Sequence, residues 1–258
     1  MLNTFFIGKV LLRYSELAST NDFLTQLLNS NAKIEPLEGM AVRADFQTGG
    51  KGQFGRSWQS AKGCNLTISV LLLPHFLVAR QIFDLNMAVA LALRDAVSSF
   101  LEKKDSLYVK WPNDLIWDDK KLAGILIETG VSASGNVQRA VAGIGLNVNQ
   151  RDFAPELIRA TSMSLIGNRD FDLQEVQDAL FNAIEQRYLQ LKAGRTAALK
   201  ADYLQALWGM GKRMGCRDLG EDKRMEVEIA GVDEQGRLLL RTESGLAAYL
   251  PAEISFWD

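Results

Sequence analysis

Leu107-Tyr-Val-Lys-Trp-Pro-Asn-Asp-Leu-Ile-Trp117, followed by Asp118-Asp119-Lys120 and then by Lys121-Leu-Ala-Gly-Ile-Leu-Ile-Glu128, decides the fold class of this 258-residue chain. The first run is strand-like, the Asp-Asp-Lys tripeptide makes a turn, and the second run returns beside the first. Ser132 to Gly135 turns again, and Val137 to Asn147 supplies a third strand-like run. Strands joined by such short turns pair antiparallel, because a parallel partner needs a crossover of a dozen or more residues. A doubly wound βαβ sheet is excluded, and the expected class is α+β.

Upstream of this meander, Val10 to Tyr14, Met40 to Phe46 and Leu66 to Leu72 are strand-like. Phe23, Leu24, Leu27 and Leu28 follow Ser19-Thr20-Asn21-Asp22 at helical spacing, and that helix should end between Asn29 and Asn31. Ser19 to Asn21 can serve simply as its N-cap. Ala79 to Leu101 carries Ile82, Leu85, Met87, Val89, Leu93, Val97 and Phe100 among alanines, a helix apolar enough to be buried against the sheet.

Downstream, Leu157 to Ile166 reads as a short helix with Ser162 near its start. Asp172-Leu-Gln-Glu175 resembles a capping box and opens a helix through Leu191, with Val176, Leu180, Ile184 and Leu191 on one face. Thr196 to Trp208 follows as another helix. After Gly209-Met-Gly211 the pattern changes to short strands at Arg213 to Arg217, Met225 to Val232, Arg237 to Arg241 and Leu246 to Leu250. Roughly 50 residues of short strands suit a small SH3-like barrel. The expected division is a ligand-binding unit, 1–209, and a C-terminal unit, 210–258.

A formal charge of -2 and a pI near 5.6 argue against a general nucleic-acid coat. Two cysteines make no disulfide framework. There is no basic leader before Phe5-Phe6-Ile7, and no run approaches a membrane span. The chain reads as cytoplasmic. Its single histidine, His75, rules out a multi-histidine metal site and reads as a loop residue.

Gln47-Thr-Gly-Gly-Lys-Gly-Gln-Phe-Gly-Arg-Ser-Trp58 packs four glycines around Lys51 and Arg56. Glycine permits a left-handed backbone and close approach to a ligand, so such a loop can wrap an anion. Taken alone, it serves equally well as a basic surface turn. Gly50, Gly52 and Gly55 satisfy G-x-G-x-x-G, but no helix follows and no acid ends the next strand, so the dinucleotide fingerprint fails. A Walker loop fails too, because Gly52 and not Ser or Thr follows Lys51. Lys110-Trp-Pro-Asn-Asp114 places cation, aromatic plate, rigid bend, amide and carboxylate in one stretch, and the hairpin can bring Lys121 towards the same pocket. By itself Lys121 could equally be a solvated edge lysine.

Together these residues resemble the biotin protein ligases, also called holocarboxylase synthetases, from about Val10 to the C-terminus. Ser19-Thr20-Asn21 matches the family's Ser-Thr-Asn motif. Gln47 to Trp58 matches its glycine-rich ligand loop, and Lys110-Trp-Pro-Asn-Asp to Lys121-Leu-Ala-Gly-Ile matches its most distinctive signature. The resemblance implies a mixed sheet flanked by helices, related to class II aminoacyl-tRNA synthetases, followed by an SH3-like domain. It implies that biotin and Mg-ATP give biotinyl-5′-AMP and pyrophosphate, after which a lysine of a biotin carboxyl carrier domain takes the biotin. Mg²⁺ is expected to come with ATP, with no metal site assigned on the chain itself.

By the same resemblance Lys121 and Lys51 are catalytic. Biotin falls to Ser19, Thr20, Asn21, Gln47, Gly50, Lys51, Gly52, Gln53, Lys121 and Gly124. The adenylate falls to Lys51, Arg56, Trp58, Asn113, Asp114, Lys121 and Asn147. The loop is expected to close over the ligand, with Phe54 as an apolar contact inside it and a left-handed backbone at Gly52.

Many relatives carry arginines where this loop has Lys51, Gln53 and Phe54, and lysine lacks arginine's bidentate fork. Some relatives also carry an N-terminal DNA-binding domain, yet only 18 residues precede Ser19, so no repressor role and no nucleic-acid partner are expected. The expected enzyme works without a membrane, as a monomer or homodimer. A lipoate or octanoate ligase or transferase shares the implied fold and is the alternative activity; an inactive biotin- or adenylate-binding module is the alternative outside enzymes. The complete Lys-Trp-Pro-Asn-Asp stretch favours biotin, and the retained Lys121 and Lys51 favour catalysis.

Overall fold

The computed structural model describes residues 2–29 and 37–256. Its larger sheet contains β1 (Leu11–Tyr14), β2 (Ala41–Ala44), β3 (Leu66–Leu72), β4 (Leu107–Lys110), β5 (Asp114–Trp117), β6 (Lys120–Val131) and β7 (Val137–Leu146). They lie in the order β1-β2-β3-β7-β6-β5-β4. β1 and β2 run parallel, and every other neighbouring pair is antiparallel. The sheet is therefore mixed, and the expected meander is its larger part. One detail departs from the sequence pattern: Leu107 to Trp117 is two strands, not one. Proline has no N–H for the ladder, so Trp111-Pro112-Asn113 folds back and pairs Lys110 with Asp114.

α1 (Thr20–Asn29) lies over β2, β3 and β7, with Leu24 packed on Val42, Leu71 and Val141. The expected end of this helix reaches Asn31, which is outside the described residues. α2 (Ile82–Ser98) covers the opposite face and buries Leu85, Val89, Leu93 and Val97 in the main core. Residues Ala79–Gln81 ahead of it form a 3₁₀ turn, so the long helical pattern starts later as α-helix than its apolar spacing suggested.

α3 (Met163–Gly167) opens on Ser162, whose Oγ accepts from the Leu165 N–H. The helix expected from Leu157 is thus shorter, preceded by a separate 3₁₀ turn at Pro155–Leu157. α4 (Leu173–Lys192) is capped by Asp172, whose side chain accepts from the N–H groups of Gln174 and Glu175. α5 (Thr196–Ala206) ends just before the expected Trp208. Both pack on α2. Glu185 of α4, 4% exposed, accepts from the N–H groups of Phe5, Phe6 and Ile7 and so ties the N-terminal segment to the helix layer.

The second sheet contains β8 (Arg213–Asp218), β9 (Lys223–Val232), β10 (Leu238–Thr242), β11 (Gly245–Tyr249) and β12 (Ile254–Ser255), ordered β11-β10-β9-β8-β12 and antiparallel throughout. β12 was not expected, because two residues are too short to display an alternation. Val227, Ile229 and Leu238 belong to the same apolar cluster as α2 and α5. The Trp111 indole N–H donates to Gly236 O at 2.8 Å and pins the second sheet to the turn between β4 and β5. Among the described residues no helix is long and apolar enough to cross a membrane.

Candidate active site

The sheet face under α1 carries two cross-strand rows. Register places Thr67, Gly145, Gly124, Asp114 and Lys110 in one row across β3, β7, β6, β5 and β4. Ser69, Gly143 and Leu126 form the next row. Two residues apart along a strand, the rows face the same side. Their glycines leave room for groups above. A Cβ on Gly143 would collide with the Asn21 amide and one on Gly145 with the Trp58 indole; on Gly124 it would stand 3.4 Å from both Lys121 Cε and Trp58 Cζ3.

Lys121 joins this face through a bulge. Three residues from Gly124, it would face the other way in a regular strand, but the register shifts between Leu115 and Ile116. Its Nζ lies 2.8 Å from Asp114 Oδ1 and 5.8 Å from the centre of the Trp58 ring. Asn113 is held by its neighbour strand: its Nδ2 donates to Ile125 O at 2.6 Å, and its own carbonyl accepts from the Ile125 N–H.

At the start of α1, Ser19 Oγ accepts from the Asp22 N–H at 3.3 Å. Ser19 therefore caps the helix, as its sequence position allows, and borders the cavity as well. Gln47 Oε1 accepts from the Thr20 N–H at 2.7 Å and from the Thr20 hydroxyl at 3.0 Å. Asn21 Nδ2 donates to Glu128 Oε2 at 2.7 Å, while Asn21 Oδ1 accepts from Ser69 Oγ at 2.6 Å. With donor and acceptor both engaged, the amide has one orientation.

The glycine loop forms a narrow hairpin. The Gly52 N–H donates to Arg56 O at 2.7 Å, the Trp58 N–H donates to Gly50 O at 2.9 Å, and Gln53–Gly55 makes a 3₁₀ tip. The left-handed residues are Phe54 (φ 56°) and Gly55 (φ 73°), whereas Gly52 is extended at φ -120°. The conformational freedom expected at Gly52 is used at the tip instead. Phe54 is 64% exposed, so the apolar contact expected of it is not made in this conformation. Lys51 Nζ lies 2.6 Å from Asp22 Oδ1, a hydrogen bond that raises the lysine's pKa.

These elements enclose a cavity of about 720 Å³, within the range of small-molecule sites. Ser19, Thr20, Asn21 and Gln47 border it on the α1 side. The loop contributes Lys51, Gly52, Gln53, Arg56 and Trp58, and the hairpin contributes Asn113, Asp114, Lys121 and Gly124. Gly50 stands behind this wall, where its missing side chain lets Trp58 O approach.

Asn147, expected in the adenylate set, does not border the cavity. Its N–H donates to Leu122 O and its Nδ2 to Thr161 O at 3.0 Å, which holds it among β6 and the segment before α3, away from the cavity lining.

Sequence reasoning missed Gly143 and Gly145 in the lining and Leu219, Pro251 and Phe256 as its wall from the second sheet, and it gave Lys110 no role although it singled out the stretch that holds it. It also missed Ser69, which stands behind the lining as the donor to Asn21. The two-residue spacing of Gly143 and Gly145 was a usable signal, since paired glycines on one strand face mark a close approach. Two buried atoms in the lining, Trp58 Nε1 and Asp114 Oδ1, have no hydrogen-bond partner among the described residues. Asp114 Oδ1 meets Lys121 as an ion pair without hydrogen-bond geometry. Leaving a buried polar atom unpaired costs about 1–3 kcal/mol, a cost that a polar ligand can offset.

Residues 15–147 match the model of the Biotin/lipoate A/B protein ligase family. The chain belongs to this family, and its likeness within it is to the biotin protein ligases. It is 31% identical over 241 residues to the biotin--[acetyl-CoA-carboxylase] ligase of Paracoccus denitrificans, covering 90% of this chain and 98% of that protein. It is 30% identical over 256 residues to the bifunctional ligase/repressor BirA of Bacillus subtilis, covering 98% of this chain and 76% of that one. The solved biotin protein ligase from Aquifex aeolicus in complex with biotin and ATP superposes with a TM-score of 0.78 at 28% identity, covering 96% and 98% of the two chains.

Proposed function

We propose that the protein activates biotin with ATP to biotinyl-5′-AMP, releasing pyrophosphate, and passes the biotin to a lysine of a biotin carboxyl carrier domain. The observation that carries this reading is convergence. Three stretches far apart in sequence, Ser19–Asn21, Gln47–Trp58 and Lys110–Gly124, border one cavity whose floor is kept open by glycine.

Joining a carboxylate to an α-phosphate brings two anions together, and a charge pair at about 4 Å is worth roughly 4 kcal/mol at an effective dielectric of 20. Lys121 is the cation fixed over the floor, held by Asp114. We assign it to the carboxyl and phosphate oxygens. Lys51 and Arg56 enter from the loop as mobile charges. The polar ureido end of biotin fits Ser19, Thr20 and Gln47, with Asn21 as a fixed wall behind them, and Trp58 beside Gly124 fits the nucleotide side.

Among the described residues Asp114 is the single carboxylate bordering the cavity, and it is committed to Lys121, so the described lining does not form a metal site of its own. Mg²⁺ belongs in this reading to the phosphates of ATP, as is usual for an ion that keeps most of its waters. The sheet through α5, 1–209, is assigned as the ligase unit on a class II synthetase-like plan, and 210–258 as an SH3-like unit. Two free cysteines fit a reducing, cytoplasmic setting.

The test is to incubate the protein with ATP, Mg²⁺ and either biotin or lipoate and to identify the acyl-AMP by mass spectrometry. Biotinyl-AMP alone is expected. Lipoyl-AMP as the main product would move the protein to the other branch of its family.

A further inference from the structure

At the α1 end of the cavity four side-chain oxygens form a chain. Asn21 Oδ1 stands 2.6 Å from Ser69 Oγ, Ser69 Oγ stands 2.7 Å from Thr20 Oγ1, and Thr20 Oγ1 stands 3.0 Å from Gln47 Oε1. Both ends are amide oxygens, which only accept. Gln47 Oε1 is fixed in place because it also accepts from the Thr20 N–H. Asn21 Oδ1 is fixed from its other side: its Nδ2 donates to Glu128 Oε2 at 2.7 Å and to Leu126 O at 3.3 Å, and neither a carboxylate nor a carbonyl can donate in return. The two hydroxyls between the ends carry one proton each, so Ser69 donates to Asn21 or to Thr20 but not to both. Three contacts share two protons, and one contact always lacks a donor. Ser69, Thr20 and Asn21 are buried, so the missing donor has to arrive through the cavity that Thr20 and Asn21 border.

We propose that Glu128 is a positioning residue for ligand selection: acting through the Asn21 amide, it keeps this end of the cavity one donor short, so that the site takes a ligand bearing ring N–H groups. The inference rests on the biotin reading above and deepens it. Glu128 lies two residues beyond Leu126 on the floor face of β6, opposite Val141, and does not itself border the cavity. If the Asn21 amide turned round, Nδ2 would face Ser69 and complete the chain, but Oδ1 would then face the carboxylate, oxygen against oxygen. Glu128 forbids that turn. A ureido N–H entering beside Thr20 supplies the missing donor, whereas the dithiolane ring of lipoate has no N–H to give. A buried acceptor left unpaired disfavours any occupant that brings only further acceptors.

The experiment is calorimetric titration of the full chain, without ATP, with biotin and with its two carbamate analogues, in each of which a ring oxygen replaces one ureido N–H. Wild type should bind the weaker analogue about a hundredfold less tightly than biotin, because it leaves the acceptor unpaired. Glu128→Gln keeps the native shape at an exposed position and offers Asn21 either an oxygen or an N–H, so the Asn21 amide is free to turn and complete the chain by itself. Biotin should then bind about tenfold more weakly, and its advantage over the analogue should shrink to about tenfold or less. That advantage is the decisive quantity. A merely structural loss weakens biotin and analogue alike, and both feel equally the removal of a negative charge that acts on Lys51. An unchanged advantage in Glu128→Gln, or a wild type that binds both analogues as tightly as biotin, would overturn the proposal. A wild type that does not bind biotin would overturn the functional reading beneath it, so the two failures are distinguishable.

Discussion

The floor of the cavity and the loop above it hold their charges in different ways. On the floor, Lys121 and Asp114 sit on adjacent strands, are positioned by ladder register and a bulge, and meet at 2.8 Å with Asp114 only 18% exposed. In the loop, Lys51 is 49% exposed, and its partner Asp22 belongs to a helix on the far side of the hairpin. A charge that must face reacting atoms belongs on the rigid strand, whereas a charge that must arrive with the ligand belongs where only a weak surface pair has to be released. The geometry therefore divides the work between a fixed electrostatic site and a movable one.

If that division is right, the floor should dominate the chemical step. Lys121→Ala should slow biotinyl-AMP formation in a single turnover by about 10²–10³-fold, the usual effect of removing one preorganised transition-state contact. Thermal melting should change little, because the side chain is 36% exposed. A normal rate would break the comparison at its strongest point. Gly145→Ala should come next. Its methyl would press on the Trp58 indole, and overpacking of this kind typically costs about 1–3 kcal/mol. Retention of biotinyl-AMP should fall by about tenfold, with a change in tryptophan fluorescence; unchanged retention would mean that Trp58 has no role in holding the nucleotide side.

The sequence displayed the parts of this arrangement whose residue types carry their own signal. The Asp118-Asp119-Lys120 turn, the glycine cluster and the alternating runs marked the meander, and the Ser-Thr-Asn, loop and Lys-Trp-Pro-Asn-Asp motifs marked most of the site. What it hid depends on neighbours distant in the chain. The bulge opposite Leu115 and Ile116 exists only once β5 and β6 pair, and it decides which way Lys121 points. The row joining Lys110 to Gly145 crosses four strands and has no local spacing. Asn147 is assigned to the adenylate by resemblance alone; its N–H and Nδ2 bond Leu122 and Thr161 outside the cavity lining, while its Oδ1 has no partner among the described residues. Asp22 is only the last residue of the run that precedes the apolar face of α1 in the sequence, and the folded loop reveals it as the partner of Lys51.

That pair gives a smaller effect. Asp22→Asn should free Lys51 for a phosphate, and because exposed ion pairs are worth about 0–1 kcal/mol, nucleotide affinity should rise by no more than about fivefold. Rapid-mixing fluorescence should show faster capture of ATP. Weaker binding would mean that Asp22 positions Lys51 for the ligand and does not compete with it.

The finest contrast separates two glycines of the same loop. Gly52 has an extended backbone, and a Cβ there would stand 3.4 Å from Arg56 O, close to an ordinary contact. Gly55 has open space around it but holds φ 73°, where an L-residue costs about 1–2 kcal/mol. Space and backbone therefore make opposite forecasts. If the tip must keep its left-handed turn when the loop covers the adenylate, Gly55→Ala should speed release of biotinyl-AMP by up to about tenfold, and Gly52→Ala should leave it within about twofold of wild type. Free and bound biotinyl-AMP, separated by rapid filtration after a single turnover, decide between them. A larger loss for Gly52→Ala would mean that Gly52 turns left-handed when the ligand is enclosed, and that the hairpin seen between Gly50 and Trp58 rearranges on closing.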